Sequence, residues 1–258
     1  MVQERGRDNR AYRLISWIIL IAFLVFWQFF SQKGWINLTV SSSPSRIWGK
    51  FTAMAADGSL LKNVWISLFR VIKGFLIGGL TGLGLGILCG LYPKFGAAAD
   101  LFIGLLRPIP PIAWIPVLIL SFGIGEFSKV AVIAIGSFWP MLLNTMEGVR
   151  NTDPQMLELS RVLEKNKRVQ IIRVILPSAV PSIFTGARLA ISRAWSCVVT
   201  AEMIAASAGV GFLIEYAREL SQPALMYVGV AVIGIIGLLI DLLMKYLEKK
   251  LCFWKAVN

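Results

Sequence analysis

The 258-residue sequence contains no histidine, only 14 acidic residues and only three cysteines. Without histidine, the chain has no histidine-based metal site, no Ser-His-Asp triad and no Cys-His dyad. Three cysteines do not form a metal cluster or a disulfide framework, so Cys89, Cys197 and Cys252 are predicted to be ordinary packing or surface thiols. These absences remove most enzyme classes, and we predict no catalytic residue and no metal site.

The chain is instead rich in apolar residues, with 57% hydrophobic and only 16% charged positions and a mean hydropathy of +0.72. This composition is too apolar for a water-soluble domain of this length and indicates a membrane protein. The 26 Lys and Arg residues give a formal net charge of +12. Cytoplasmic loops that face anionic lipid explain this charge more simply than a nucleic-acid partner does.

Uncharged runs predict an all-α protein with six transmembrane helices. A helix needs about 20 apolar residues to cross the hydrocarbon of a bilayer. Five runs reach or approach that length: 14–32, 74–93, 108–125, 130–146 and 220–240. A sixth region, 183–206, is as apolar on average but contains Arg188, Arg193 and Glu202, so hydropathy alone leaves it undecided.

Charge asymmetry decides the number of spans. Arginines at the N-terminus and lysines at the C-terminus predict that both ends are cytoplasmic, which requires an even number. Counting 183–206 gives six spans and makes the very basic loop 150–177 cytoplasmic. Basic residues on the outer side oppose the rule: Lys33, Arg46, Lys50 and Lys62 in the first outer loop, and Arg70 and Lys73 at the outer end of the second span. We therefore predict a multi-pass protein of the cell (inner) membrane, whose first apolar run is a retained anchor rather than a cleaved signal peptide.

The second predicted span carries glycines at a strict spacing of four. At 100° per residue this stripe winds slowly around the helix and suits a neighbouring helix that crosses at an angle. Without side chains along the stripe, two backbones can approach closely. We predict a helix-packing surface at Gly74, Gly78, Gly82, Gly86 and Gly90.

Prolines interrupt the third predicted span. Four of them, at positions 108, 110, 111 and 116, remove backbone donors and clash with preceding carbonyl groups, so a straight helix cannot run through them. Freed carbonyl groups need a protein or water partner inside a bilayer, and transport pathways are commonly built from broken helices. A structural kink is the alternative. Charges inside spans also need a role. The candidate pathway residues are Pro110, Pro111, Trp114, Arg193 and Glu202.

The basic loop contains a short amphipathic helix. Asp153 followed by Pro154 is typical of a helix N-cap with proline at the first helical position. Apolar positions alternate with Glu158, Arg161 and Lys165 over the next turns. Such a helix either lies on the lipid surface or docks on a cytoplasmic partner.

Residues of this loop resemble a known motif. Glu158, Leu159, Ser160 and Arg161, followed by Leu176-Pro177, are similar to the "EAA" loop of ABC importer permeases. Segments 107–120, 122–126, 185–195 and 201–206 resemble, in the same order, permeases of the nitrate, sulfonate and taurine type. The resemblance extends over residues 44–247.

The resemblance implies a type I ABC importer permease, in which two permease subunits form the membrane pathway for a small solute. The EAA loop would be a coupling helix on a separate ATPase subunit, which binds the ATP and Mg, and an extracytoplasmic binding protein would deliver the solute. The solute class would be a sulfonate, nitrate, a taurine-like anion or a vitamin precursor. The docking residues carried over by position are Glu158, Leu159, Ser160, Arg161 and Glu164.

Two positions depart from the motif: Leu159 replaces a small residue and Glu164 replaces a glycine. Because asparagine tolerates the left-handed conformation better than glutamate, we expect the turn of the loop at Asn166, with Glu164 continuing the first helix. Arg161 is expected to supply a charge-assisted bond and Leu159 an apolar contact.

The predicted organisation has three parts. Residues 1–63 form the N-terminus, the first anchor and an outer loop, residues 64–247 form the permease core with spans two to six, and residues 248–258 form a cytoplasmic tail. The rival interpretation is a secondary transporter or channel that acts alone. That class predicts inverted repeats or paired acidic residues in the membrane, and the spans offer few candidates beyond Glu202 and Asp241.

Overall fold

The computed structural model describes residues 4–33, 42–163 and 165–251, and these residues form helices, turns and loops without a β-strand. The helices are α1 (Glu4–Gln32), α2 (Pro44–Ala56), α3 (Ser59–Leu91), α4 (Pro93–Leu106), α5 (Ile115–Phe122), α6 (Glu126–Arg150), α7 (Pro154–Val162), α8 (Lys167–Gln170), α9 (Leu176–Ala205), α10 (Val210–Glu219) and α11 (Pro223–Leu251). A 3-10 turn, Pro111–Trp114, precedes α5, and a π-helical turn, Ile171–Ile175, joins α8 to α9.

Five helical stretches are long and apolar enough to cross a membrane: Ile15–Gln32 of α1, α3, α6, Lys167–Ala205 and α11. The helices Pro93–Leu106 and Pro111–Phe122 pass the same test as a pair, but they are bent by 82° at their break. Together they make the sixth candidate span. The predicted third span at 108–125 therefore covers only the second half of this pair, because the prolines mark its middle rather than its beginning.

One compact unit comprises residues 1–61 and 213–232. Within it, the Gln28 side chain of α1 bonds to Ser45 at the beginning of α2, with Gln28 Oε1 3.1 Å from the Ser45 backbone nitrogen. Trp27 of α1 makes an edge-to-face contact with Tyr227 of α11, with ring centroids 5.4 Å apart. Most side chains of Ile15–Gln32 are otherwise exposed, as in a helix that faces lipid.

The second unit comprises residues 62–212 and 233–258. In it α3 lies against α6 along the glycine stripe. A methyl group at Gly82 would lie 2.6 Å from the Phe138 carbonyl oxygen, and one at Gly86 would lie 2.7 Å from the Leu142 carbonyl oxygen. Real Cβ atoms do not approach other atoms this closely, so side chains at these positions would force the two helices apart.

Helices α6 and α9 also pack closely on each other. A methyl group at Gly148 of α6 would lie 2.6 Å from the Ser182 Cβ of α9. A buried cluster of Val71, Ile133, Ala194, Trp195 and Val198 joins α3, α6 and α9. The Trp195 indole nitrogen donates to the Ile233 carbonyl oxygen of α11 at 3.1 Å, so this polar group is satisfied inside the core.

Candidate functional site

The coupling loop, residues 150–177, begins with the helix that its sequence predicts. Asp153 accepts a hydrogen bond from the backbone N–H of Gln155 at 2.9 Å, and α7 begins at Pro154. Thr152 before α7 and Ser178 in α9 have hydroxyl groups 3.1 Å apart. The loop is thereby tied both to the end of α6 and to the beginning of α9.

The surface of α7 is unusually apolar for a loop outside the membrane spans. Four apolar side chains in or directly after α7 are more than half exposed: Met156 (57%), Leu159 (56%), Val162 (79%) and Leu163 (58%). Glu158 is exposed beside them. Ser160 is buried instead, and its hydroxyl donates to the Leu157 carbonyl oxygen at 2.7 Å. Of the predicted docking residues, Glu158 and Leu159 therefore face outward and Ser160 does not.

The predicted left-handed turn at Asn166 is wrong. Asn166 has φ −65° and ψ 156°, and its side-chain oxygen accepts a hydrogen bond from the backbone N–H of Val169 at 2.9 Å. It is the N-cap of α8, which is the other position that asparagine favours. The side chain of Arg161 and the whole of Glu164 lie outside the described residues, so the charge-assisted bond expected of Arg161 and the helical position expected of Glu164 stay predictions.

A polar cavity of about 600 Å³ lies where α4 and α5 are broken. It is bounded by the break itself, by α6 and by α9. Pro110, Pro111 and Arg193 line it, as three of the candidate pathway residues. The other polar groups along its wall are Arg107, Asn144, Ser196 and Thr200.

Arg107 and Arg193 give this cavity its charge. No aspartate or glutamate is among its described lining residues. Arg193 is exposed and forms no ion pair with any described residue. An unpaired cation on a membrane-spanning helix is costly unless it faces water or a charged ligand. The cavity is therefore suited to a small anion.

Trp114 and Glu202, the other two candidate pathway residues, do not line this cavity. Trp114 lines a separate apolar groove of about 520 Å³ between α3, α4 and α6. Glu202 is fully buried, with no exposed surface. Sequence reasoning placed it in the pathway because an intramembrane carboxylate is expensive, but a buried partner also explains such a charge.

The partner of Glu202 is Arg70, and together with Glu126 they form what we call the Arg70 network. Arg70 Nη1 donates to Glu202 Oε1 at 2.8 Å, while Arg70 Nε and Nη2 bind both oxygens of Glu126 at 2.8 and 2.6 Å. Lys129 Nζ lies 2.8 Å from Glu126 Oε1. The network joins α3, α6 and α9.

The buried carboxylate of Glu202 is fully provided with donors. Ser67 Oγ lies 2.8 Å from both of its oxygens, and the Gly211 backbone N–H donates to Oε2 at 2.9 Å. Gly209, at φ 124°, lies directly against this carboxylate, where a Cβ atom would collide with it. Only glycine fits there.

Sequence reasoning missed Arg70 and Glu126. One signal was present, since Arg70 lies at the outer end of the predicted second span, where a positive charge opposes the positive-inside rule. Arg188, one of the charges inside the region 183–206, binds Asp241 of α11, with Nη2 2.8 Å from Oδ1.

A broken span beside a charged cavity and glycine-packed spanning helices are typical of a multi-span membrane transport protein. The family described as binding-protein-dependent transport system inner membrane component matches residues 82–252, about two thirds of the chain. The chain belongs to this family, and it is the permease subunit of an ABC importer.

Curated relatives agree with this assignment. A putative ABC transporter permease of Methanocaldococcus jannaschii is 42% identical over 80% of this chain and 78% of its own length. A putative aliphatic sulfonates transport permease of Bacillus subtilis is 36% identical, covering 96% and 90%. A bicarbonate transport system permease of Synechococcus elongatus is 33% identical, covering 89% and 86%.

Solved structures show the same fold. One chain in an inward-facing structure of the MetNI methionine ABC transporter has a TM-score of 0.66 and 18% sequence identity, covering 74% of this chain and 95% of that one. This likeness supports the type I importer permease fold.

Proposed function

We propose that this permease conducts a small anion, of the aliphatic sulfonate or bicarbonate class, through the polar cavity beside the broken span. One observation carries the proposal. Arg107 and Arg193 line the same cavity, and no carboxylate is among its described lining residues. Hydrogen bonds to a charged group are stronger than neutral ones, so two guanidinium groups favour an anion over a neutral solute of the same size.

The relatives support an anionic substrate. The permease of Bacillus subtilis is named for aliphatic sulfonates and that of Synechococcus elongatus for bicarbonate, and both solutes are anions at neutral pH. The hydroxyl and amide groups of Asn144, Ser196 and Thr200 add hydrogen-bonding partners to the same wall. The cavity therefore offers both charge and directional contacts to an oxyanion.

The proposal includes the partners of this subunit. Two copies would form the pathway, a binding protein would deliver the anion, and the coupling loop would sit on an ATPase subunit that binds ATP and Mg. The apolar side chains of α7 support this docking role, since Leu159 and Val162 are more than half exposed. Exposed apolar clusters rimmed by charges commonly mark protein interfaces.

A route from the coupling loop to the cavity follows from the contacts. Thr152 and Ser178 connect the two ends of the loop, one directly after α6 and the other within α9. Helix α6 contributes Asn144 to the cavity and α9 contributes Arg193. A displacement of α7 would therefore act on both helices that form the cavity wall. We propose accordingly that the coupling loop and both termini are cytoplasmic, as the positive-inside rule favours.

The test is uptake of a labelled alkanesulfonate into vesicles that contain the permease, its ATPase and its binding protein. Arg193→Ala should lower uptake about 10- to 150-fold, because a hydrogen bond to a charged group contributes about 1.5–3 kcal/mol. Arg193→Lys should retain part of the activity. ATP hydrolysis stimulated by the binding protein should persist in both variants.

The matched control is Arg218→Ala, which removes an exposed arginine of α10 outside the cavity. This variant should transport normally. Normal uptake by Arg193→Ala would contradict the assignment of the cavity as an anion pathway.

A further inference from the structure

We infer that the apolar groove between α3, α4 and α6 holds one acyl chain of a phospholipid, whose phosphate is bound by Arg150 and Lys94. The groove has a volume of about 520 Å³, and Leu85, Phe95, Phe102 and Phe138 are among the apolar side chains that line it. It is distinct from the polar cavity of the transport pathway, although Trp139 borders both.

The lining selects an apolar occupant. Thr81 carries the only hydroxyl group among the lining residues, and that group donates to the Ile77 carbonyl oxygen at 2.7 Å. No charged side chain lines the groove. A polar ligand would therefore lose its water without gaining hydrogen bonds, which is unfavourable.

The length of the groove fits one leaflet of a bilayer. Its lining follows α3 from Ile77 to Cys89, which at 1.5 Å per residue is about 18 Å along the helix axis. Half of the hydrocarbon thickness of a typical bilayer is about 15 Å. A groove along a spanning helix with this length is matched by a lipid tail.

The end of the groove at the turn between α3 and α4 carries positive charge. Arg150 Nη2 lies 3.4 Å from the Cys89 carbonyl oxygen. It also lies so near Gly96, in the first turns of α4, that a Cβ atom at Gly96 would collide with it. Lys94 is exposed in the first turn of α4, directly before Phe95 of the groove lining. Two cations at the mouth of an apolar groove complement a phosphate above an acyl chain.

Neighbouring acidic groups do not neutralise this mouth directly. Asp100 lies on α4 and Glu147 on α6, yet neither forms an ion pair with Lys94 or Arg150 among the described residues. Tyr92 and Phe95 are exposed at the same turn, where aromatic side chains commonly lie at the headgroup level of a membrane.

The leaflet follows from the position of the coupling loop. Arg150 is the last residue of α6 and α7 begins four residues later, so the mouth of the groove is on the same side as that loop. If the loop docks on a cytoplasmic ATPase, as proposed above, the lipid belongs to the cytoplasmic leaflet. The lipid site itself does not depend on that docking.

The experiment is native mass spectrometry of delipidated, purified permease during titration with phosphatidylglycerol or phosphatidylcholine. We expect one tightly bound phospholipid, with phosphatidylglycerol favoured. Ala99→Trp fills the groove and should weaken binding about tenfold or more, since Ala99 lines it. Ala97→Trp, on the opposite, exposed face of α4, is the matched control and should bind lipid normally.

The headgroup contacts are tested by Lys94→Ala and by Lys94→Ala with Arg150→Ala. Each lost cation should weaken phosphatidylglycerol binding about fivefold. Because Lys94 is exposed, its variant keeps the test valid even if Ala99→Trp fails to insert. Equal binding by wild type and the double variant would overturn the phosphate assignment.

Two other outcomes would overturn the proposal. Unchanged binding by a folded Ala99→Trp would show that the groove is not the lipid site. Dissociation of a dimer by Ala99→Trp, without loss of lipid, would show that a second copy of this chain covers the groove. None of these readings uses transport, so failure of the lipid site and failure of the anion pathway are distinguishable.

Discussion

Alanine variants of the Arg70 network should lower the free energy of unfolding by different amounts, because Arg70, Glu202 and Glu126 differ in burial and in their partners. Arg70 and Glu202 are buried, at 7% and 0% side-chain exposure, whereas Glu126 is 62% exposed. Breaking a buried ion pair by removing one partner costs about 3–5 kcal/mol, while an exposed pair contributes about 1 kcal/mol or less. The three alanine variants should therefore not be equivalent.

Arg70→Ala should lower the free energy of unfolding more than either of the other two variants. It leaves the Glu202 carboxylate inside the protein with only Ser67 and the Gly211 N–H as donors. We expect about 5 kcal/mol for Arg70→Ala. Glu202→Ala should cost about 3 kcal/mol, because Arg70 keeps Glu126 and the Ala208 carbonyl oxygen.

Glu126→Ala should destabilise the protein least, by about 2 kcal/mol, because the buried pair of Arg70 and Glu202 stays intact although buried Lys129 loses its carboxylate partner. The double variant that lacks both Arg70 and Glu202 should be less destabilised than the sum of the single variants, by up to about 3 kcal/mol. The assay is thermal unfolding of the purified protein in detergent, in which about 2–4 °C of midpoint corresponds to 1 kcal/mol for a chain of this size.

The control is Arg218→Ala, which removes an exposed pair with Glu215 on α10 and should be nearly neutral. The reasoning is refuted if Glu126→Ala lowers the midpoint as much as Arg70→Ala. Additive effects in the double variant would equally refute it, because they would show that Arg70 and Glu202 do not stabilise each other.

Three further predictions concern packing, capping and topology. Gly86→Leu should prevent stable insertion or assembly, because even a methyl group there would lie 2.7 Å from the Leu142 carbonyl oxygen. Gly84 has open space around it, so Gly84→Leu should be tolerated in the same membrane-extraction assay. Asn166→Ala should destabilise the beginning of α8 by about 1 kcal/mol and raise the rate of amide hydrogen exchange in the coupling loop. Asn166→Ser should do neither, and equal exchange rates in the two variants would exclude a capping role. In a cysteine-free background, Gln222→Cys should react with an impermeant thiol reagent added outside intact cells, and Lys165→Cys should not. Labelling of Lys165→Cys would contradict the prediction that the coupling loop is cytoplasmic.

Elements that depend on local pattern could be predicted from the sequence. The capped beginning of α7 at Pro154 follows from neighbouring residues, and the close approach of α3 to α6 follows the spacing of glycines from Gly74 to Gly90. The broken span was recognised from its prolines. Its beginning was misplaced, because α4 at Pro93–Leu106 contains the charged residues Lys94 and Asp100 and was not recognised as part of a span.

Features that depend on distant residues could not be predicted. Arg70 and Glu202 are 132 positions apart, and nothing local indicates that they meet. The role of Asn166 was misassigned for another reason. Asparagine favours both helix N-caps and the left-handed region, and residue type alone does not distinguish the two.

The lining of the polar cavity was predicted in part. Pro110, Pro111 and Arg193 line the polar cavity, but Arg107 enters it only because the chain bends by 82° at the break. Trp114, three residues after Pro111 in the same 3-10 turn, lines the apolar groove instead. The sequence around the break does not show which of these two spaces each side chain faces.

The central claim is that this permease couples ATP hydrolysis on a partner to anion import through α7. Its most direct test is uptake of labelled alkanesulfonate by vesicles containing the complete complex, with wild-type permease or with Leu159→Asp, which places a charge on the exposed apolar surface of α7. We predict ATP-dependent uptake by the wild type, and loss of both uptake and ATPase co-purification in the variant, which should still insert normally. ATP-independent uptake by the permease alone, or unchanged uptake by Leu159→Asp, would contradict the account.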